Sequence, residues 1–208
     1  MSEKNRGFIT TKVGLLFHFG KDNEEILVEN FINLLIKKNI SFHCLNDNDF
    51  DLTISQLIEN INHQEQIDFT QLKESKIDEN VLFFSGFTRE EMENFLEILR
   101  DPRYPRFELK AVATKTNQNF LLNELIQELR QDRMVISYVI ALRKGINLLK
   151  EKSEIVNNIN LKEEIENEIV AIEEILININ NIFDINVFKD KISKVKLLIK
   201  EIDENSHY

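Results

Sequence analysis

The chain has 208 residues, 42% of them hydrophobic, with only five Gly and two Pro; a chain of that size and content can bury a core, which excludes overall disorder. Its formal net charge of −10 disfavours binding along a nucleic-acid backbone, which draws on Lys and Arg. Cys44 is the only cysteine, so no internal disulfide can form, and the composition fits a reducing compartment.

The chain opens on MSEKNRGFITTKVG, with no long apolar h-region ahead of a small-residue cleavage site. No apolar run reaches the roughly 18 residues that a membrane span requires. A cytoplasmic protein without a membrane segment is expected.

Apolar runs at Val13–Phe19, Ser41–Leu45, Val81–Phe84 and Leu109–Thr114 predict four strands, each followed by helical spacing. Ile26, Leu27, Phe31, Leu34 and Leu35 form the first stripe, and Leu52, Ile54, Leu57, Ile58 and Ile61 the second. Met92, Phe95, Leu96 and Leu99 form the third, then Leu122, Leu125, Ile126 and Leu129 the fourth. Strands alternating with helices predict an α/β fold with a four-stranded parallel sheet. GLLF and VLFF are apolar throughout, as central strands should be. SFHCLN and ELKAVAT carry His43 and Lys110 and look like edges, which gives the order 2-1-3-4. Right-handed crossovers then place the first and fourth helices on one face and the second and third on the other.

Offset by 68 residues, the two halves align without a gap: Val13 falls on Val81, Phe19 on Phe87, Phe31 on Leu99 and Ile58 on Ile126. A β-α-β-α unit is expected twice, over 13–61 and 81–129, about an axis along the strands. Between the halves, NHQEQIDFTQLKESKIDEN reads as a polar connector with one short helix. The α/β domain is expected to span 1–133. Over 134–208 the spacing changes to alternating threes and fours: Val135, Val139, Leu142, Ile146 and Leu149; Leu161 through Ile172 to Ile179 and Phe183; Phe188 through Ile202. Three helices near 134–151, 160–180 and 186–202 are predicted as a bundle or arm, either forming the contact of a homodimer or satisfying one another. No Gly or Pro separates Leu121 from Arg143, so the first is expected to be almost continuous with the fourth helix of the sheet domain.

VLFFSGFTREE, LKAVATKTNQNF and LLNELIQEL in the second half resemble a bacterial family, the domain-of-unknown-function family 3783, and DLTISQLI resembles its less distinctive part. The resemblance covers roughly residues 12–133 and is strongest over 81–130. It implies the α/β fold and brings no established activity, so it assigns no catalytic residue.

Ser85-Gly86 stands at a strand-to-helix corner, but a nucleophile elbow needs glycines where Phe83 and Phe87 stand. The simpler reading is a turn opened by Gly86, with Thr88 capping the next helix. His18 ends the first strand, placed for a switch or general base or simply as a polar strand end. His43 and Cys44 are adjacent and leave opposite faces of a strand, so they do not share a metal; His63 falls in the connector and His207 near the terminus. TKTNQNF leads into the fourth helix, where Asn117 or Asn119 is expected to cap. RDPRYPR gathers Arg100, Arg103 and Arg106 at what should be the opposite edge of the sheet.

In a parallel sheet the ligand crevice lies outside the carboxyl ends of the first and third strands. His18, Gly20, Ser85, Gly86 and Thr88 would line it, with Thr114 and Thr116 at one side and an anionic group held at the helix starts. No catalytic residue, metal or cofactor is predicted. The expected function is a regulatory or interaction module that binds a small, anionic ligand or a partner protein. The alternative is an enzyme that uses the same crevice.

Overall fold

The computed structural model describes residues 12–61, 76–179 and 184–205; His63, Phe183, His207 and most of the polar connector lie outside them. In chain order the elements are β1 (Gly14–His18), α1 (Glu25–Lys37), β2 (Phe42–Cys44), α2 (Ile54–Glu59), β3 (Val81–Ser85), α3 (Arg89–Ile98), β4 (Leu109–Val112), α4 (Leu122–Ser153), α5 (Ile159–Ile177) and α6 (Ile185–Asn205). Short 3-10 turns occur at Asp47–Asp49 and Asn117–Asn119. The sheet order is β2-β1-β3-β4, as composition predicts. Every residue of β1 and β3 is buried, whereas β4 alternates around the exposed Lys110 and Val112.

Strand direction differs from expectation. The outer pairs β1–β2 and β3–β4 are parallel, but β1 and β3 run antiparallel, with Gly14 opposite Ser85, Leu16 opposite Phe83 and His18 opposite Val81. The all-parallel reading fails because an apolar strand covered on both faces reads the same in either direction. Direction is set by the return of the chain after α2. The Lys76 N–H donates to Asp47 Oδ1 at 2.9 Å and the Gly20 N–H to Asn80 Oδ1 at 2.8 Å. The chain therefore re-enters the sheet at the end where β1 finishes, and β3 must run back. The crossover handedness rule governs parallel neighbours only.

The helix faces change with it. Val28, Phe31 and Leu35 of α1 share a core with Phe95 of α3, against Phe17 and Phe84. Leu57 and Ile58 of α2 share the other core with Leu122, Leu125 and Ile126 of α4. First and third helices therefore lie on one face of the sheet and second and fourth on the other. The expected axis along the strands is thereby excluded. The α1–α3 face is a phenylalanine cluster: Phe31 meets Phe17 edge-on at 5.1 Å between centroids and lies at the same distance from Phe107. Such pairs add roughly 0.5–1.5 kcal/mol each beyond the area they bury.

Two compact units divide at Arg130 and Gln131, inside α4, and the first tail helix continues the fourth helix without a break, as the lack of Gly and Pro there predicts. In the second unit Leu142, Ile146 and Leu149 of α4, Leu161, Ile165 and Ile172 of α5, and Phe188, Val195 and Ile202 of α6 form one core, along the 3-4 seams read from the sequence. Among the described residues no helix is long and apolar enough to cross a membrane. Ile172 is fully buried, and an uncompensated buried charge costs about 3–5 kcal/mol. Ile172→Asp should therefore lower the denaturation midpoint of the helical unit, read as loss of helical circular dichroism at lower urea; an unchanged midpoint would show that the seam is open to water.

Candidate functional site

Because β1 ends where β3 begins, the segment after β1 meets the segments before β3 and β4. Asn80 ties the three together. Its Oδ1 accepts from the Gly20 N–H at 2.8 Å and from Asn23 Nδ2 at 2.5 Å, and its Nδ2 donates to the Arg106 carbonyl at 2.6 Å and to Asn23 Oδ1 at 3.1 Å. Its own N–H donates to Glu108 Oε2 at 2.7 Å, and its carbonyl accepts from Glu108 and Leu109. Both ends of the side-chain amide are thus engaged by partners on different segments. Gly20 sits close enough that a Cβ there would overlap the Asp78 carbonyl oxygen, so only glycine allows this approach.

Beside Asn80 lies a cleft of about 840 Å³. Leu27 of α1, Leu96 of α3, Leu99 at the carboxyl end of α3, and Phe107 supply its apolar surface, with Tyr104 in the arginine loop. Its charged lining is mostly committed. Arg100 pairs with Glu97 at 2.6 Å, Asp78 with Lys21 at 3.1 Å, and the Lys110 ammonium donates to the Phe107 carbonyl. Arg103 grips both oxygens of Asp101, which holds that carboxyl down to about 2. The side chains of Arg106 and Asp22 have no ion-pair or hydrogen-bond partner among the described residues. The cleft thus offers one uncommitted guanidinium and one uncommitted carboxylate.

His18 lies behind this edge, fully buried. Its Nδ1 is 3.0 Å from the Leu45 carbonyl and its Nε2 3.1 Å from the Ile77 carbonyl. Two acceptors favour the doubly protonated ring, and Asp47 and Glu79 add weaker support. Burial opposes the charge and outweighs them, so the pKa lies below its ordinary value. A neutral imidazole has one N–H for two carbonyls. His18 is therefore a buried tie between β1 and the segments flanking it, without the open side that a general base requires.

The other predicted residues stand at the opposite end of the sheet. Ser85 is buried and its hydroxyl donates to the Lys12 carbonyl at 2.7 Å, which commits it to the chain's entry into β1. Gly86 has φ 73°, which glycine adopts freely. Thr88 caps α3 in a reciprocal box with Glu91. Thr114 and Thr116 follow β4, which runs parallel to β3, and so share this end. The expected crevice is divided by the antiparallel centre: Gly20 lines the cleft, His18 lies beneath its edge, and the other five residues belong elsewhere. The arginine loop, placed by sequence at the far edge from Gly20, lines the same cleft as Gly20. Spacing and periodicity do not point to Asn80 or Asn23. The available signal was a polar amide directly before the apolar run VLFF.

On the edge strand β2, His43 Nε2 meets Asp49 Oδ2 at 3.0 Å, and Asn46 also binds that oxygen, so the pair braces the turn after β2. Burial, with Asp49 nearby, pushes the Cys44 thiol up to about 12, which keeps it from acting as a thiolate at neutral pH.

The fold is a mixed α/β domain continued by a helical unit. Residues 80–136, the second half of the sheet domain and the start of the helical unit, match the model of the family described as a domain of unknown function (DUF3783). The match starts at Asn80, contains all three motifs of the second half and ends inside α4; DLTISQLI lies outside it. No curated protein and no solved structure matches the chain.

The buried imidazole sets a pH dependence. In the unfolded chain His18 takes up its proton near the ordinary value of 6.5, whereas the folded chain does so only at lower pH. In that window the unfolded state binds more protons, so stability present above about pH 6.5 is lost as the pH falls. Chemical denaturation from about pH 7 to about pH 5.5 should show this decline, and His18→Gln should reduce its slope. An identical slope in the variant would assign the acid sensitivity to other groups.

Proposed function

We propose that the sheet domain is a binding module that seats a small ligand with an apolar body and an anionic group in the cleft beside Asn80. The observation that carries the reading is the uncommitted Arg106 guanidinium on a cleft walled by Leu27, Leu96, Leu99 and Phe107. A guanidinium fork matches carboxylate or phosphate oxygens in pairs, and an apolar wall beside it strengthens the attraction by lowering the local dielectric. Asp22, on the same cleft, favours a ligand that also presents a donor or a positive charge. The Asn80 bonds support a preformed cleft, because the loops that shape it are tied to the ends of β1, β3 and β4. Cytoplasmic residence belongs to the same proposal and is supported by a lone thiol held inert.

Untargeted capture of metabolites on the full chain, read by mass spectrometry, tests this reading. A compound retained unchanged fits a sensor, and one that is turned over fits an enzyme. Arg106→Ala should weaken retention at least about tenfold, the loss expected for one charge-assisted hydrogen bond. Ligand-induced amide shifts clustered at Ser85–Thr88 instead of Arg100–Lys110 would sink the assignment of the cleft.

Two further parts of the reading rest on other residues. The helical unit is proposed to mediate self-assembly, supported by the exposed Ile136 and Ile140, one turn apart on α4, and by the exposed Val170 and Leu197. Light scattering should give a lower mass for Ile136→Lys/Ile140→Lys than for the natural chain; equal masses would remove this role. The two halves are proposed to derive from one duplicated unit. Thr53 and Leu121, which stand at the 68-residue offset, pair directly with each other, as matched residues beside a two-fold axis would. The strand registers differ by one residue, since Leu15 pairs with Phe42 but Leu82 with Lys110, so the repeat includes a single-residue shift.

A further inference from the structure

β4 is an outer strand, and an outer strand presents unpaired backbone groups to any extended segment that approaches. Leu109 and Ala113 direct their N–H groups inward, to the carbonyls of Asn80 at 3.1 Å and Phe84 at 2.8 Å. Backbone groups alternate sides along a strand, so Val112 and Thr114 direct theirs outward. Val112 is also an exposed β-branched residue, a combination that invites edge-to-edge pairing.

The side chain of Asn117 occupies that position. Its Nδ2 donates to the Val112 carbonyl at 3.0 Å and its Oδ1 accepts from the Thr114 N–H at 2.8 Å. One residue of a parallel fifth strand would do the same, donating to the carbonyl of one residue and accepting from the amide two positions on. The carboxamide is held there by its own backbone, since the Asn117 N–H donates to Thr114 Oγ1 at 3.2 Å. The Thr114 carbonyl is taken by the Gln118 N–H at 3.1 Å. From the Val112 carbonyl onward the outer edge is satisfied from within the chain.

We propose that Asn117 serves as a built-in substitute for a fifth strand and so prevents β4 from pairing with β4 of a second copy of this chain. The contact is a guarded interaction surface, independent of the cleft and of any assembly through the helices.

Asn117→Ala in the full chain should expose the Val112 carbonyl and the Thr114 amide. Light scattering should then give a mass that rises above the natural chain's value with concentration. Hydrogen exchange should show new protection confined to 110–114, and adding Val112→Lys, a charge on the edge, should return the mass to the natural value. A folded Asn117→Ala chain whose mass matches the natural one at every concentration overturns the proposal, as does assembly with protection outside β4. If the alanine variant lacks the natural circular dichroism, Asn117→Ser repeats the test, because serine keeps an oxygen near the Thr114 amide but has no donor that reaches the Val112 carbonyl. Failure of both variants to fold would assign Asn117 to folding and overturn the guarding role.

Discussion

The antiparallel pairing of β1 with β3 is the constraint from which the rest follows. Both strands are buried along their whole length, so neither can be left at an edge without exposing a continuous apolar row to water. Pairing them in opposite directions puts the end of β1, the start of β3 and the approach to β4 at one edge of the sheet. There Asn80 can bond Gly20, Asn23, Arg106 and Glu108 together. A parallel pair would have separated Gly20 from Asn80 by the length of a strand, and the cleft beside Asn80 would not exist in this form.

What the sequence revealed and what it concealed have the same origin. GLLF and VLFF announce central strands because every position must be apolar when both faces are covered, and the charge on Lys110 marks an edge for the converse reason. Neither feature carries a direction. Direction depended on where the chain returned after α2, and the decisive contacts are one backbone amide on Asp47 and one on Asn80, neither of which leaves any periodicity to read. The helical stripes hold for either strand direction, since a stripe specifies that a face is buried and not which face of the sheet buries it. Hence the stripes mark Phe31 and Phe95 as core residues, while only strand direction puts them on the same side of the sheet.

The candidate site suffered more, because a site is a juxtaposition. Each of the seven residues was read for plausible local chemistry, and several local readings hold: Gly86 turns the chain and Thr88 caps a helix. Their convergence depended on parallel strands and was lost with them. The residue that organises the observed cleft, Asn80, has an ordinary local context. Its importance lies in four long-range hydrogen bonds from its side chain, and such bonds are invisible to spacing arguments. The arginine loop stands out in the sequence as a charge cluster, but only packing shows that Arg103 is spent on Asp101 while Arg106 is uncommitted.

The central seam also fixes an order of events in time. β1 can pair with β2 as soon as Ser41–Leu45 has been synthesised, but its other edge must wait for Val81–Ser85. Until then a growing chain carries a strand whose residues are destined for complete burial and whose second row of amides has no partner. Contacts this distant in sequence slow folding, and the interval leaves an apolar edge open to other chains. The polar stretch NHQEQIDFTQLKESKIDEN emerges in that interval, so the apolar first half is followed at once by the most hydrophilic passage of the sheet domain.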